Sequence, residues 1–313
     1  MISALSVLFP GQGSQSLGML TALAALHPEV RKSFDEASEA IHLDLWALSQ
    51  HGPEEDLNRT MNTQPALLAA SVGVWRAWRA AGGAMPQAFA GHSLGEYSAL
   101  VCAQALTLAD ATLLVRERGR LMQAAVPEGV GAMAAVLNAD LGVLTEVCEA
   151  VSTAAEPVVP ANLNAPGQIV LSGAAAALQR ALAALAVRGV KRAIRLPVSV
   201  PSHSPLMRGA ADQLAQYLQD VAVSVPHIPV IHNADVCTHS DPDAIRAALA
   251  KQLYMPVRWV ETIEKLAQLG STRALECGPG KVLIGMVKRI APTMAGIAIG
   301  EPAGFDQALE ARL

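Results

Sequence analysis

The five residues Gly91-His92-Ser93-Leu94-Gly95 constrain this chain more than any other stretch. They spell G-x-S-x-G, the pattern of a strand that turns sharply into a helix with a serine exposed at the bend. Glycines flank the serine because side chains there would collide with the strand or the helix. The surroundings agree with that geometry. Ala88-Phe89-Ala90 is a short apolar run before the turn, and Glu96-Tyr97-Ser98-Ala99-Leu100-Val101 continues as a helix after it. Two readings follow: a nucleophilic Ser93, or a tight strand–helix turn that Ser93 merely caps. In the first reading Ser93 opens a helix, so the Leu94 N–H faces the reacting carbonyl as an oxyanion donor.

At 313 residues the chain can bury a large core, as one big domain or two smaller ones. Its 52% hydrophobic content is Ala, Leu and Val spread evenly. No apolar run approaches the roughly 18 residues of a membrane span. The N-terminal stretch shows neither the basic segment nor the cleavage site of a secretory signal. A net charge of −4 and 4% aromatic residues argue against a nucleic-acid ligand, which needs a basic face and stacking rings. Cys102, Cys148, Cys237 and Cys277 stand far apart and read as reduced thiols of a cytoplasmic protein.

Leu5 to Phe9 reads as a strand, followed by a turn at Pro10 to Gln15 and a helix from about Leu17. The dinucleotide fingerprint G-x-G-x-x-G fails here, because Ser16 stands at the third glycine. Gln12 falls at the carboxyl end of that strand, where open α/β sheets bind ligands. It either donates an amide hydrogen bond there or is a surface turn residue. Residues 29–81 read as mainly helical, with Trp46, Trp75 and Trp78 as packing residues.

A helix from about Leu108 to Ala125 carries one apolar face of Ala111, Leu114, Val115, Leu121, Met122 and Ala125. Arg118 lies within that face, whereas Arg116 and Arg120 point away. Arginine is almost never buried unpaired, so Arg118 calls for an anion. That anion is either a structural carboxylate or a carboxylate on a substrate, held by the planar guanidinium in bidentate fashion.

Between Ala132 and Val198 the pattern is strand, helix, two strands, helix, strand, with the middle strands joined by Asn164 to Gly167. That order is the ferredoxin-like unit. It predicts a small subdomain over 128–197, inserted into a larger α/β domain built from 1–127 and 198–313. His203 follows at the junction, fixed by Pro197 and Pro201, and clefts form at such junctions. His227, His232 and His239 lack metal-ligand spacing. The remaining chain alternates again: a strand at 229–233, helices at 244–253 and 257–269, a strand at 273–277 and a helix at 282–290.

Taken in order, F-P-G-Q-G-S-Q at 9–15, G-H-S-L-G-E-Y at 91–97, the Arg118 helix, P-V-S-V-P-S-H at 197–203, Q-L-Y-x-P-V at 252–257 and G-P-G-K-V-L at 278–283 form a set. The set resembles the malonyl-CoA:acyl carrier protein transacylases of bacterial fatty-acid synthesis, over essentially the whole chain. The resemblance implies an α/β-hydrolase-like core with the inserted ferredoxin-like subdomain. It implies Ser93 as nucleophile, His203 as its partner, Gln12 and Leu94 as oxyanion donors and Arg118 as the malonate-binding residue. Near Gln252 a backbone carbonyl would hold the histidine ring where a triad enzyme uses aspartate. No Asp between Ser93 and His203 stands out as a third member, since Asp110 and Asp140 read as helix starters. The implied reaction moves malonate from coenzyme A through Ser93 to the phosphopantetheine thiol of acyl carrier protein, with no metal or redox cofactor. Carriers of this pathway are typically acidic, so Lys191, Arg192, Lys288 and Arg289 are the expected landing site. Two other readings stay open: a serine hydrolase or thioesterase with the same dyad, and a transacylase serving a malonate decarboxylase. Arg118 favours a dicarboxylic acyl group over a plain fatty acyl group.

Overall fold

The computed structural model describes residues 4–198 and 200–311; Ser199, within the P-V-S-V-P-S-H motif, lies outside them. Its centre is β1 (Leu5–Phe9), buried along its whole length. A strand covered on both faces reads as a continuous apolar run, which is why Leu-Ser-Val-Leu-Phe shows no alternation. β1 pairs in parallel with β2 (Ala88–Gly91) on one side and with β8 (Arg273–Glu276) on the other. The two-residue β7 (Val230–Ile231) and β9 (Ala295–Ala298) complete the order β7-β2-β1-β8-β9. The chain builds outward from β1 first toward β7 and later toward β9. That reversal opens a crevice at the carboxyl ends of β1, β2 and β8, the usual ligand position in such sheets.

The second sheet is antiparallel, in the order β4-β5-β3-β6. Its strands are β3 (Gly131–Leu137), β4 (Val158–Ala165), β5 (Gln168–Ala174) and β6 (Arg192–Arg195). β3 lies between β5 and β6, so two split βαβ units interleave as in the ferredoxin-like arrangement. The helices Leu141–Val151 and Ala175–Val187 bury Leu144, Val147, Leu178 and Leu185 against Ala134, Val136 and Leu171, a core separate from that of the large sheet. The fold class is thus the α/β-hydrolase-like core with a ferredoxin-like subdomain that the motifs imply.

Two sets of contacts tie the sheets together. β4 exchanges backbone hydrogen bonds with Val257, as Leu163 N–H donates to Val257 O at 2.9 Å and Val257 N–H to Ala161 O at 2.8 Å. At the other end, Arg289 donates to Gln168 Oε1 at 2.6 Å and to Pro166 O at 2.5 Å, gripping the β4–β5 turn.

Several boundaries differ from the sequence reading. The first helix begins at Thr21 rather than near Leu17, because Leu20 sits in the left-handed region at φ 62°. The β4–β5 loop shrinks to Pro166-Gly167, with Asn164 and Ala165 continuing the strand. β6 stops at Arg195, two residues before Pro197, and proline cannot extend a hydrogen-bonded ladder. The strand expected at 229–233 shortens to Val230–Ile231, freeing His232 and Asn233 for side-chain roles. The helices Arg208–Gln219 and Pro302–Glu310 and the strand β9 have no counterpart in the sequence reading.

Candidate active site

β2 ends at Gly91, and Ser93 turns the chain at φ 51°, a left-handed conformation that costs a non-glycine residue energy. The flanking glycines are sterically obligatory. A Cβ on Gly91 would lie 1.9 Å from Gly95 C, and one on Gly95 would lie 2.1 Å from Phe9 O. The bend is pinned from outside by Asn233, which accepts the Ser93 N–H on Oδ1 at 2.7 Å and donates from Nδ2 to Gly91 O at 2.7 Å. Leu94 is the N-cap of the Gly95–Cys102 helix. Its N–H is therefore among those that a helix start leaves without an intrahelical partner.

Ser93 Oγ and His203 Nε2 are 2.8 Å apart. The other ring nitrogen, Nδ1, lies 2.8 Å from Gln252 O. A carbonyl only accepts, so Nδ1 carries the hydrogen and Nε2 presents its lone pair to the serine. The next residue fixes the histidine backbone, since His203 N–H donates to Leu253 O at 2.9 Å. The ring is buried, and its pKa falls from 6.5 to about 3, first because burial disfavours the imidazolium and next because of the Arg118 charge. The Gln252 carbonyl pulls weakly the other way.

Arg118 is 1% exposed, as its place on the apolar face requires. Among the described residues no carboxylate accepts a hydrogen bond from it. Nη1 donates to Gln64 Oε1 at 2.7 Å, while Nη2 donates to Gln252 Oε1 at 2.9 Å and to Ser93 Oγ at 3.2 Å. The guanidinium carbon lies 5.3 Å from the Tyr97 ring centre. A full charge resting on three neutral oxygens is an open invitation to an anion. Burial accordingly lowers the Arg118 pKa.

These groups share one cavity of about 560 Å³ with Gln12, Leu94 and, from the second sheet, Asn162 and Val170. The Gln12 side chain turns toward Thr60 Oγ1 at 3.4 Å. His92, between the two glycine-flanked bonds of the motif, meets Asn164 Oδ1 of β4 at 2.8 Å. It joins the elbow to the second sheet.

Sequence reading missed Glu96, Asn233, Gln64 and the side chain of Gln252. The available signal was slight: a glutamate directly after G-H-S-L-G in an otherwise apolar helix, and an asparagine just past a strand. His232 meets Glu96 Oε1 at 2.7 Å through Nδ1. No cluster able to hold a metal ion occurs among the described residues. Asp110 and Asp140 sit at helix starts: Asp110 N–H donates to the cap residue Thr107 Oγ1 at 3.0 Å, and Asp140 Oδ1 accepts the Gly142 N–H at 2.8 Å. Lys191, Arg192, Lys288 and Arg289 are exposed, but Arg289 already holds the β4–β5 turn. Cys102, Cys148 and Cys277 are buried, Cys237 is exposed, and all four are free thiols. Among the described residues no helix is long and apolar enough to cross a membrane.

Residues 7–295 match the acyl transferase domain family. The malonyl CoA-acyl carrier protein transacylase of Salmonella typhimurium is 52% identical over 301 residues, 96% of this chain and 97% of that protein. A crystal structure of the malonyl-CoA:acyl carrier protein transacylase from Xanthomonas oryzae superposes with a TM-score of 0.97 at 56% identity, covering 99% of both chains. A malonyl-transacylase solved in complex with its type II polyketide acyl-carrier protein matches with a TM-score of 0.97 at 50% identity, covering 99% of this chain and 100% of that one.

Proposed function

The chain belongs to the acyl transferase domain family, and on that premise we infer a division of labour among its residues. It moves malonyl groups from malonyl-CoA to acyl carrier protein in fatty-acid synthesis. The observation that carries the assignment of roles is the meeting of three groups at one oxygen. Ser93 Oγ lies 2.8 Å from His203 Nε2 and 3.2 Å from Arg118 Nη2.

In this reading neutral His203 takes the Ser93 proton on Nε2 as Oγ attacks the thioester carbonyl. The N–H groups of Leu94 and Gln12 receive the oxyanion, each worth about 3 kcal/mol by the usual effect of removing such a donor. The tetrahedral intermediate collapses, the carbon–sulfur bond breaks, and His203 returns the proton to the departing CoA thiolate. Malonate is left esterified to Ser93, with its free carboxylate on Arg118. The carrier's phosphopantetheine thiol then repeats the steps in reverse, giving its proton to His203 and restoring the Ser93 hydroxyl. Gln252 supports the histidine through its main-chain carbonyl. Coenzyme A enters as part of a substrate, and the scheme needs neither a metal nor a redox cofactor. Residues 1–127 with 198–313 form the catalytic part, and 128–197 the subdomain that roofs the cleft. Unpaired thiols support a cytoplasmic site of action. Lys191, Arg192 and Lys288 form the landing site of the carrier.

The test is intact-mass spectrometry after mixing with malonyl-CoA. Wild-type protein should gain one malonyl group, mapped to Ser93, and Ser93→Ala should gain none. Labelling and transfer at the wild-type rate by Ser93→Ala would overturn the assignment.

A further inference from the structure

The mechanism leaves one buried charge under the elbow without a role. Glu96, in the first turn of the Gly95–Cys102 helix, is fully buried. A carboxylate survives such burial only with several strong donors. Glu96 has three: His232 Nδ1 on Oε1 at 2.7 Å, and the Asn233 N–H at 2.9 Å and Gln252 Nε2 at 2.8 Å, both on Oε2. Two of these partners hold the reacting groups. Asn233 pins the Ser93 N–H, and Gln252 supplies the carbonyl under His203.

The Gln252 side chain gives the arrangement a direction. Its NH2 donates to Glu96 Oε2 at 2.8 Å and to Ser93 O at 3.0 Å. Both hydrogens are thereby used on acceptors, and the oxygen end must face Arg118 Nη2, at 2.9 Å. The reverse orientation would set NH2 against a guanidinium, which cannot accept. Arg118 donates to an amide oxygen, and the same amide donates to a carboxylate. The anion absent from its direct contacts is thus present one amide away.

We propose that Glu96 is a positioning residue for Ser93, His203 and Arg118 and, through the Gln252 amide, the counter-charge that sets how tightly Arg118 grips an anionic acyl group. In the empty cleft the Arg118 and Glu96 charges cancel. An incoming carboxylate therefore meets a cation already partly satisfied, which limits its hold on the acyl group. Without the Glu96 charge, Arg118 binds a carboxylate more tightly. Loosening Asn233 and Gln252, which hold Ser93 and His203, slows turnover for any acyl group. KM for the anionic donor and turnover therefore fall together, tighter binding with slower chemistry, a combination that a merely structural role would not produce.

The inference rests on the malonyl-transfer reading, and malonyl labelling of wild-type Ser93 tests that reading separately. Glu96→Gln keeps the shape and removes the charge. Acyl loading is followed by rapid-quench intact mass with malonyl-CoA and with acetyl-CoA, whose acyl group is neutral. For malonyl-CoA, KM should fall by about tenfold, as expected for removing a charge that acts through one intervening amide and is well screened, and kcat should also fall. For acetyl-CoA, kcat should fall alike with KM unchanged. Glu96→Asp keeps the charge but shortens the reach, so malonyl KM should stay at the wild-type value while kcat falls for both donors. An unchanged or raised malonyl KM in Glu96→Gln, or equal KM shifts for both donors, overturns the proposal. Should Glu96→Gln not fold, Glu96→Asp decides: wild-type kcat, or a lowered malonyl KM despite the retained charge, overturns it equally.

Discussion

Arg118 bears a full charge, is 1% exposed and donates to neutral oxygens alone. Its guanidinium fork suits a carboxylate, and its position beside Ser93 Oγ suits the far end of a three-carbon diacid thioester. A buried charge pair that loses one member typically costs 2–5 kcal/mol, roughly a 30- to several-thousand-fold effect. Arg118→Ala should lose malonyl loading by about that factor. Acetyl loading has no carboxylate to place and should fall little. Arg118→Lys should rescue poorly, since a point charge cannot copy the fork. The check is kcat/KM for malonyl-CoA and acetyl-CoA, with folding followed by circular dichroism. Equal losses for both acyl groups would make Arg118 a structural residue. His203 gives a second expectation at this scale. Burial holds its pKa at about 3 rather than 6.5, so the resting ring is neutral throughout the physiological range. The profile of kcat/KM for malonyl loading should therefore stay flat as pH falls through 6.5. A break at 6.5 would show that the free enzyme solvates the ring. For stability the sign is fixed by linkage. The unfolded chain binds a proton at His203 below 6.5 that the folded chain refuses, so stability is fully present above 6.5 and declines toward pH 3.

The strand–turn–helix element at 88–102 works because two glycines let backbones approach where no Cβ fits. Gly95→Ala would set a methyl 2.1 Å from Phe9 O, a main-chain atom that cannot swing aside. Forced overpacking of this kind costs about 1–3 kcal/mol. It should lower the melting temperature and also slow acyl loading, because the elbow positions Ser93. Wild-type melting and loading rates in Gly95→Ala would show that the close approach is not needed. This element was legible in sequence because sterics leave few ways to write it. Ser93, His203 and Arg118 were legible for a related reason: a serine between glycines, a histidine held by prolines and an arginine on an apolar face each break a local pattern. Glu96 and Asn233 break none strongly, and their meaning lies in contacts between residues 137 apart in sequence. Arg118 was recognised as needing an anion, but an anion one amide away has no signature in spacing. Among the elements, Leu5–Phe9 and Val282–Ile290 emerged at their observed bounds because apolar residues run to a glycine or proline turn. Arg208–Gln219 and Ala295–Ala298 did not. The second is four residues long with a glycine inside.

Across the whole molecule, the two basic stretches distant in sequence both lead to Gln168. β3 pairs Leu137 with Gln168 on one side and with Arg192 on the other. Arg192 thus stands two strand spacings from Gln168, about 10 Å. Gln168 lines the cavity and receives Arg289, whose neighbour Lys288 is exposed. We propose that Lys191, Arg192 and Lys288 flank the side of the cleft that Gln168 marks, and that the carrier docks there so that its thiol reaches Ser93. Charges at an interface rim act mainly on encounter and on its salt dependence. Reversing Lys191 and Arg192, or Lys288, to Glu should raise KM for the carrier by about tenfold and weaken its dependence on ionic strength, as expected for rim charges. Malonyl loading from CoA should be nearly unchanged. Arg289→Glu should behave differently. Its side chain grips Gln168 and Pro166, so the reversal also loosens the second sheet over the cleft. Both half-reactions should suffer in that variant. The measurements are the rate of adduct formation on Ser93 and the rate of its transfer to the carrier, each across a salt series. Loading impaired as much as transfer by the Lys191, Arg192 and Lys288 reversals would assign the rim to the phosphates of CoA instead. Loss confined to transfer, with loading intact and a flattened salt response, is what a carrier landing on this edge requires.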